Sequence, residues 1–227
     1  MDSGQLMRMA PAMLASMLPK RVELSREDEV RIRLPQWRHE EIEQAIVTLY
    51  EKIDARFVPL EPLAIAQALG YGPIPYRALG PKIWPLLHAA SPDALTCWFF
   101  GQETPLILYD DRQPSRRCVF SMMHEIGHAW LGHREHSKLA EIEANKFASA
   151  ALCPLPLLDR SGLLEAEGVV KYFGVSVDCA RLRLEALARW RSLPVSHRNR
   201  AFGKAVLSRL RFKVAVQGRL FALDDCG

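Results

Sequence analysis

Apolar positions along the chain switch several times between the spacing of a helix and that of a strand. From Gln36 to Arg56, Ile42, Ala45, Ile46, Leu49 and Ile53 recur at helical spacing among charged residues, which predicts an amphipathic helix opened by Pro35. Pro62 to Leu69 predicts a short second helix, stopped by Gly70. Gly70 to Pro85 is punctuated by Pro and Gly and carries Ile74, Tyr76 and Leu79, a pattern for a strand, a turn and a short helix. Leu95–Phe100 and Leu106–Tyr109 are β-rich runs joined by Gly101-Gln102-Glu103-Thr104-Pro105, which predicts a hairpin. Val119, Phe120, Met123, Ile126, Gly127, Trp130 and Leu131 form another helical stripe, with Gly132 as its stop signal. Ser137 to Ala151 reads as the next helix, with Ser137 as N-cap, and Pro154 and Pro156 end it.

Beyond these prolines, Leu163–Leu187 predicts two helices around the turn Phe173-Gly174-Val175-Ser176, with Ser176 capping the second. This is a helix-turn-helix-like pattern with Asp178, Arg181 and Arg183 on its second helix. Leu207 to Val216 alternates: Leu210, Phe212, Val214 and Val216 face one way, and Arg209, Arg211 and Lys213 the other. Gln217-Gly218 predicts a turn back through Leu220–Leu223, so the end of the chain is expected to form a basic β-hairpin. Met7 to Leu18 is apolar but short, broken by Pro11 and without a basic cluster before it, so it reads as no secretory signal and residues 1–35 are expected to be a partly disordered or loosely packed lead-in.

One helix carries the chemistry. His124 and His128 lie four residues apart and so share a face, which lets two imidazole nitrogens reach one metal ion. Glu125, next to the first histidine, is placed to act as a general base on water at that metal. A catalytic zinc takes a third protein ligand and keeps its fourth position for water. The extended motif that places Gly and His after the second histidine is excluded, because Leu131 and Arg134 stand there and His133 is off by one. The alternative is a carboxylate from the following helix. There Glu141, Ala144, Asn145 and Ala148 share one face, with small alanines that permit close approach, so Glu141 is the preferred ligand and Asn145 its hydrogen-bonding support. Glu143 remains the rival, but it shares its face with Leu139, Lys146 and Phe147 and reads as a solvated carboxylate.

The run Arg116-Arg117-Cys118-Val119-Phe120-Ser121-Met122-Met123-His124-Glu125-Ile126-Gly127-His128, then Glu141-Ile142-Glu143-Ala144-Asn145-Lys146-Phe147-Ala148, then Leu152-Cys153-Pro154, resembles the ImmA/IrrE family of zinc metallopeptidases. The resemblance extends from about Pro59 to Trp190. It departs mildly, with Ser121-Met122-Met123 where Thr-Leu-Ala is usual and Cys153 where Met is common; neither change touches a candidate ligand. The resemblance implies an α+β, gluzincin-like core: a metal helix, a glutamate-ligand helix and a small antiparallel sheet. It also implies a zinc endopeptidase that cleaves helix-turn-helix repressors and thereby derepresses genes of mobile elements or stress responses. The predicted organisation is a lead-in over 1–35, a peptidase domain over 36–190 that includes the helix-turn-helix-like segment 163–187, and a basic extension over 191–227.

Composition adds limits. A chain of 227 residues, 49% hydrophobic, suffices for one good core. Its five cysteines are scattered with no CxxC pair, which fits a reducing compartment, so a cytoplasmic protein is expected. No apolar run approaches the length of a membrane span. From Ala186 to Leu223 there are nine Lys or Arg and no Asp or Glu. That bias and the helix-turn-helix-like segment motivate a second reading, a DNA- or partner-binding regulator with a structural or vestigial zinc site. Glu125 argues against it, because a purely structural zinc needs no water-activating carboxylate. Arg116 and Arg117 read equally as a pair that steers acidic substrate groups or as a solvated helix start, and Tyr109, His133 and His136 are the candidates for a second oxyanion donor.

Overall fold

A computed structural model describes residues 3–9, 11–19, 22–99, 101–135, 137–194, 201–216 and 219–222. In chain order the elements begin with α1 (Ser3–Arg8), α2 (Pro11–Met17), α3 (Arg26–Arg31), α4 (Gln36–Lys52), β1 (Phe57–Val58) and α5 (Pro62–Ala68). Then come β2 (Ile74–Pro75), a 3-10 turn (Tyr76–Leu79), α6 (Trp84–Ala90), β3 (Ala94–Cys97), β4 (Leu106–Tyr109), α7 (Ser115–Trp130) and α8 (Lys138–Leu152). The series closes with α9 (Leu155–Ser161), α10 (Ala166–Phe173), α11 (Val177–Arg191), α12 (Ala201–Arg209), β5 (Arg211–Val216) and β6 (Arg219–Ala222). The fold is α+β, mostly helical with small sheets. It forms two compact units, residues 1–38 with 62–148 and residues 39–61 with 149–227.

The first unit is built on a sheet of order β2-β4-β3. The predicted hairpin is there: β3 and β4 pair antiparallel from Ala94↔Tyr109 to Cys97↔Leu106. The sheet as a whole corrects the expectation of an antiparallel one, because β2 pairs parallel to β4, Ile74 with Leu108 and Pro75 with Tyr109. The 3-10 turn and α6 intervene between β2 and β3, which runs opposite to β2, and the hairpin reversal then brings β4 back parallel to it. Pro75 has no N–H to extend the ladder, which keeps β2 a short edge strand.

One face of β3 sends Leu95 and Cys97 into a cluster with Leu106, Leu108, Ile74, Tyr76 and Leu87, while the alternate residue Thr96 points at α7. The N-terminal stretch departs from the expected loose lead-in. Leu6 of α1 and Leu14 of α2 are fully buried in the same cluster. Each buried leucine contributes about 1.5–3 kcal/mol, enough to hold short helices that propensity alone would not. Ser25 and Asp28 form a reciprocal capping box at α3, and Lys138 reaches Asp28 at 2.8 Å. With Lys138 as the leading cause and the Ser25 hydrogen bonds adding to it, the Asp28 carboxyl is held at about 2.

The second unit rests on α4, which buries Ile42, Ile46, Leu49 and Tyr50; the Tyr50 hydroxyl donates to the Ala151 carbonyl at 2.6 Å. Its sheet has the order β1-β5-β6, with β1 parallel to β5 and β5 antiparallel to β6, so the C-terminal hairpin exists. Its first strand begins later than the alternation suggested, because Leu207–Arg209 end α12. The predicted turn at Gln217-Gly218 lies outside the described residues. α10 and α11 meet around Gly174, and Ser176 caps α11 by accepting from the Cys179 N–H at 3.2 Å. Of the three polar residues named on the second helix of this pattern, Asp178 and Arg181 are exposed, whereas Arg183 is buried and donates to the Cys153 carbonyl at 2.9 Å. Among the described residues no helix is long and apolar enough to cross a membrane, and Cys97, Cys118, Cys153 and Cys179 are free thiols.

Candidate metal centre

α7 and α8 supply the centre. α7 needs no side-chain cap at Pro114, and its buried stripe Met122, Met123, Ile126 and Ala129 fixes which face turns inward. Gly127 faces Phe147 of α8. A Cβ there would stand 3.0 Å from Phe147 Cδ1, and Phe147 is fully buried, so the missing side chain lets the two helices approach. At the far end, Gly132 adopts φ +75° and closes the helix: the His133 N–H donates to the His128 carbonyl and the Gly132 N–H to the Ala129 carbonyl. α8 then starts at the Ser137 hydroxyl, which accepts from the Ala140 N–H at 3.1 Å.

His124 Nε2 and His128 Nε2 lie 2.9 Å apart. Glu141 completes the group, with Oε2 3.2 Å from His124 Nε2 and Oε1 3.4 Å from His128 Nε2. The potential ligand atoms of these three residues all lie within 4.8 Å of one another. The structure thus brings together the two histidines and the glutamate preferred on sequence grounds. It separates Glu143 from them: that carboxylate is 5% exposed and pairs with Arg38 and His133, contrary to its reading as solvated.

The other ring nitrogens decide whether the group suits a metal. His124 Nδ1 lies 2.9 Å from Asn145 Oδ1, an acceptor, so Nδ1 carries the hydrogen and Nε2 keeps its lone pair. His128 Nδ1 faces His133 Nδ1 at 3.1 Å. Two Nε2 atoms and a carboxylate crowd one point, a donor set that suits zinc and that a shared cation would satisfy. Burial works against charge on His124, but Glu141, Glu125 and Asn145 outweigh it and raise its pKa.

Glu125 is 6% exposed. Thr96 from β3 donates its hydroxyl to Glu125 Oε2 at 2.7 Å and also lies 3.0 Å from the Glu125 carbonyl. Nearby, burial and then the Glu125 charge push the Cys97 thiol up, so it is a neutral apolar group and not a nucleophile. His124, Glu125, Glu141 and Asn145 line a cavity of about 400 Å³, shared with Asp93, with Ala94 and Leu95 at the start of β3, and with Val22 and Leu24.

The expected oxyanion candidates fare differently. His133 is engaged with His128 and Glu143, Tyr109 is not among the cavity-lining residues, and His136 lies outside the described residues. Arg117 is bound to Asp93 by paired hydrogen bonds of 2.8 and 2.9 Å, whereas Arg116 is exposed. Sequence reasoning missed Thr96 altogether; its one signal is a hydroxyl inside an otherwise apolar strand.

Residues 87–185, which contain His124, Glu125, His128, Glu141 and Asn145, match the family described as IrrE N-terminal-like domain, Peptidase_M78. That stretch is similar to a Peptidase_M78 domain. No curated protein matches the chain. The match agrees with the resemblance seen in the α7 and α8 motifs and likens residues 87–185 to a peptidase family.

Proposed function

We propose that this chain is a zinc-dependent endopeptidase acting on a protein substrate, a helix-turn-helix repressor being the class implied by its resemblance to the ImmA/IrrE proteins. The observation that carries the reading is the convergence of His124, His128 and Glu141 on one point, with Glu125 in the same cavity. Those three residues would hold the metal. When bound, zinc supplies Lewis acidity, polarising a carbonyl oxygen and lowering the pKa of water toward about 7.

The chain's own residues supply the rest. Thr96 occupies Glu125 Oε2, which leaves Oε1 to take a proton from the attacking water and return it to the leaving amine. β3 is an outer strand of its sheet, and its first residues, Ala94 and Leu95, border the cavity, so an extended substrate backbone can pair there beside Glu125. Asn145 fixes the tautomer of His124. The cleaved repressor would release the genes it holds silent. Nucleic acid is left out of the proposal because Arg183, one of the residues assigned to read DNA, is committed to Cys153.

The test is Glu125→Gln in the full chain, incubated with a co-encoded repressor and followed by mass spectrometry of fragments. Zinc content should be unchanged and cleavage should fall about 10²–10⁴-fold. Undiminished cleavage by that variant would sink the mechanism.

A further inference from the structure

His133 has no task in the reading above, although it touches a candidate ligand. Gly132 turns the chain back over the end of α7, and the His133 ring meets that of His128 with centroids 5.1 Å apart and planes at 72°. On its far side His133 Nε2 lies 2.9 Å from Glu143 Oε2. Arg38, in the first turn of α4, grips that carboxylate with Nε to Oε1 at 2.7 Å and Nη2 to Oε2 at 2.6 Å. The chain of contacts runs Arg38, Glu143, His133, His128.

The direction of every hydrogen bond in it follows from its outer end. A guanidinium can only donate, so Glu143 accepts from Arg38 and stays a carboxylate. Its Oε2 therefore also accepts from His133, which must carry its hydrogen on Nε2. A neutral His133 of that tautomer has a lone pair on Nδ1, and this lone pair accepts the Nδ1 hydrogen of His128. His128 is left with its lone pair on Nε2, the nitrogen that faces His124 and Glu141. With the hydrogen on His133 Nδ1 instead, a lone pair would point at the Glu143 carboxylate. His128 would then accept through Nδ1 and hold its own hydrogen on the nitrogen that should meet the metal.

We propose that His133 and Glu143 are positioning residues of the metal centre: a carboxylate–imidazole relay, anchored by Arg38, that sets the tautomer and ring orientation of His128. The inference rests on the zinc reading of His124, His128 and Glu141. It assigns a task to the second acidic residue of α8, which acts on the metal through two imidazoles and not by binding it. The two histidine ligands are thus aligned by different means, His124 by one neutral amide and His128 by a charged relay.

Ring-nitrogen NMR of the zinc-loaded, full-length wild type tests this without any variant. The expected spectrum has His128 protonated at Nδ1 and metal-bound at Nε2, and His133 neutral and protonated at Nε2. A His133 protonated at Nδ1 would overturn the relay. Chelator competition then compares His133→Phe and Glu143→Gln with Glu141→Gln. The relay variants should bind zinc about 10–100-fold more weakly, and their cobalt-loaded forms should show shifted ligand-field bands, a change that lost packing alone does not produce. Glu141→Gln should lose the metal outright. If Glu141→Gln loses zinc while both relay variants keep wild-type affinity and wild-type cobalt spectra, the relay fails and the zinc reading stands. If the wild type takes up no zinc, the zinc reading falls and takes the relay with it.

Discussion

Two corners of this molecule are written in the same local code and come to different ends. α7 and α8 are separated by Gly132 and a Ser137 cap, and α10 and α11 by Gly174 and a Ser176 cap. Both glycines sit in the left-handed region, at φ +75° and +71°. After Gly132 the returning residue is His133, which folds back into a polar cluster. After Gly174 it is Val175, 1% exposed, which folds back into an apolar one. The first corner, with the neighbouring strand, buries Thr96, Glu125, His128 and Glu143, whereas the second buries Arg183 alone among charged side chains. Helix punctuation specifies the corner; only the side chains that the corner returns decide whether it holds chemistry. Buried polar groups are costly unless partnered, so their concentration at one corner marks it as the working one.

The comparison can be broken most severely at the ligand. Glu141→Gln is expected to abolish zinc binding and all cleavage, read by metal content and fragment analysis; retained stoichiometric zinc would remove the distinction between the corners. Next comes Gly174→Ala, which meets both a positive φ and a Cβ only 2.9 Å from Pro59 Cβ. It should cost about 2–4 kcal/mol in denaturant unfolding and leave zinc affinity unchanged. Gly132→Ala meets the backbone strain alone, with open space at its Cβ. It should cost about 1–2 kcal/mol, but it should also weaken zinc binding about tenfold by moving His133. Equal zinc affinities in the two alanine variants would show that the returning residue at 132–133 plays no part in the site.

The smallest effect lies outside both corners, at Asp110. Arg112 leads and His88 assists in holding this buried carboxyl well below the usual carboxylate range, despite the opposing pull of burial. Its folded pKa lies below its unfolded value of about 3.9, so its stabilisation is complete above that value and is lost as pH falls through the folded one. Asp110→Asn should therefore flatten the acid limb of the stability profile, measured by urea midpoints across acidic pH. An unaltered acid limb would remove Asp110 from the account.

The parts of the centre that lie along one helix were legible in the sequence. His124, Glu125 and His128 follow from a four-residue spacing, and Glu141 with Asn145 from the same spacing on the next helix. The fold around them was legible wherever periodicity was long, as in α4, α7 and α8. The two N-terminal helices were not, because a short apolar run broken by Pro11 looks the same whether it docks or dangles. Glu143 was misread for a different reason. Its face runs from Leu139, 47% exposed, to Phe147, fully buried, so solvent gives way to core within two turns, and periodicity averages over that change. Its partner Arg38 stands 105 positions away, a separation that no local pattern spans. Thr96 was invisible because its meaning depends on which helix the strand packs against.

Gly127 has a consequence for metal choice. It lies between the two histidines, and its absent carbon lets Phe147 of α8 lie against it, so on the zinc reading it would narrow the gauge between the helix of the imidazoles and the helix of the carboxylate. A narrow gauge suits a small ion with bonds of about 2.0–2.2 Å, whereas a wider one would suit calcium at about 2.3–2.6 Å. On the zinc reading proposed above, the choice of ion would thus be built into the helix packing itself, at a residue that would not touch the ion.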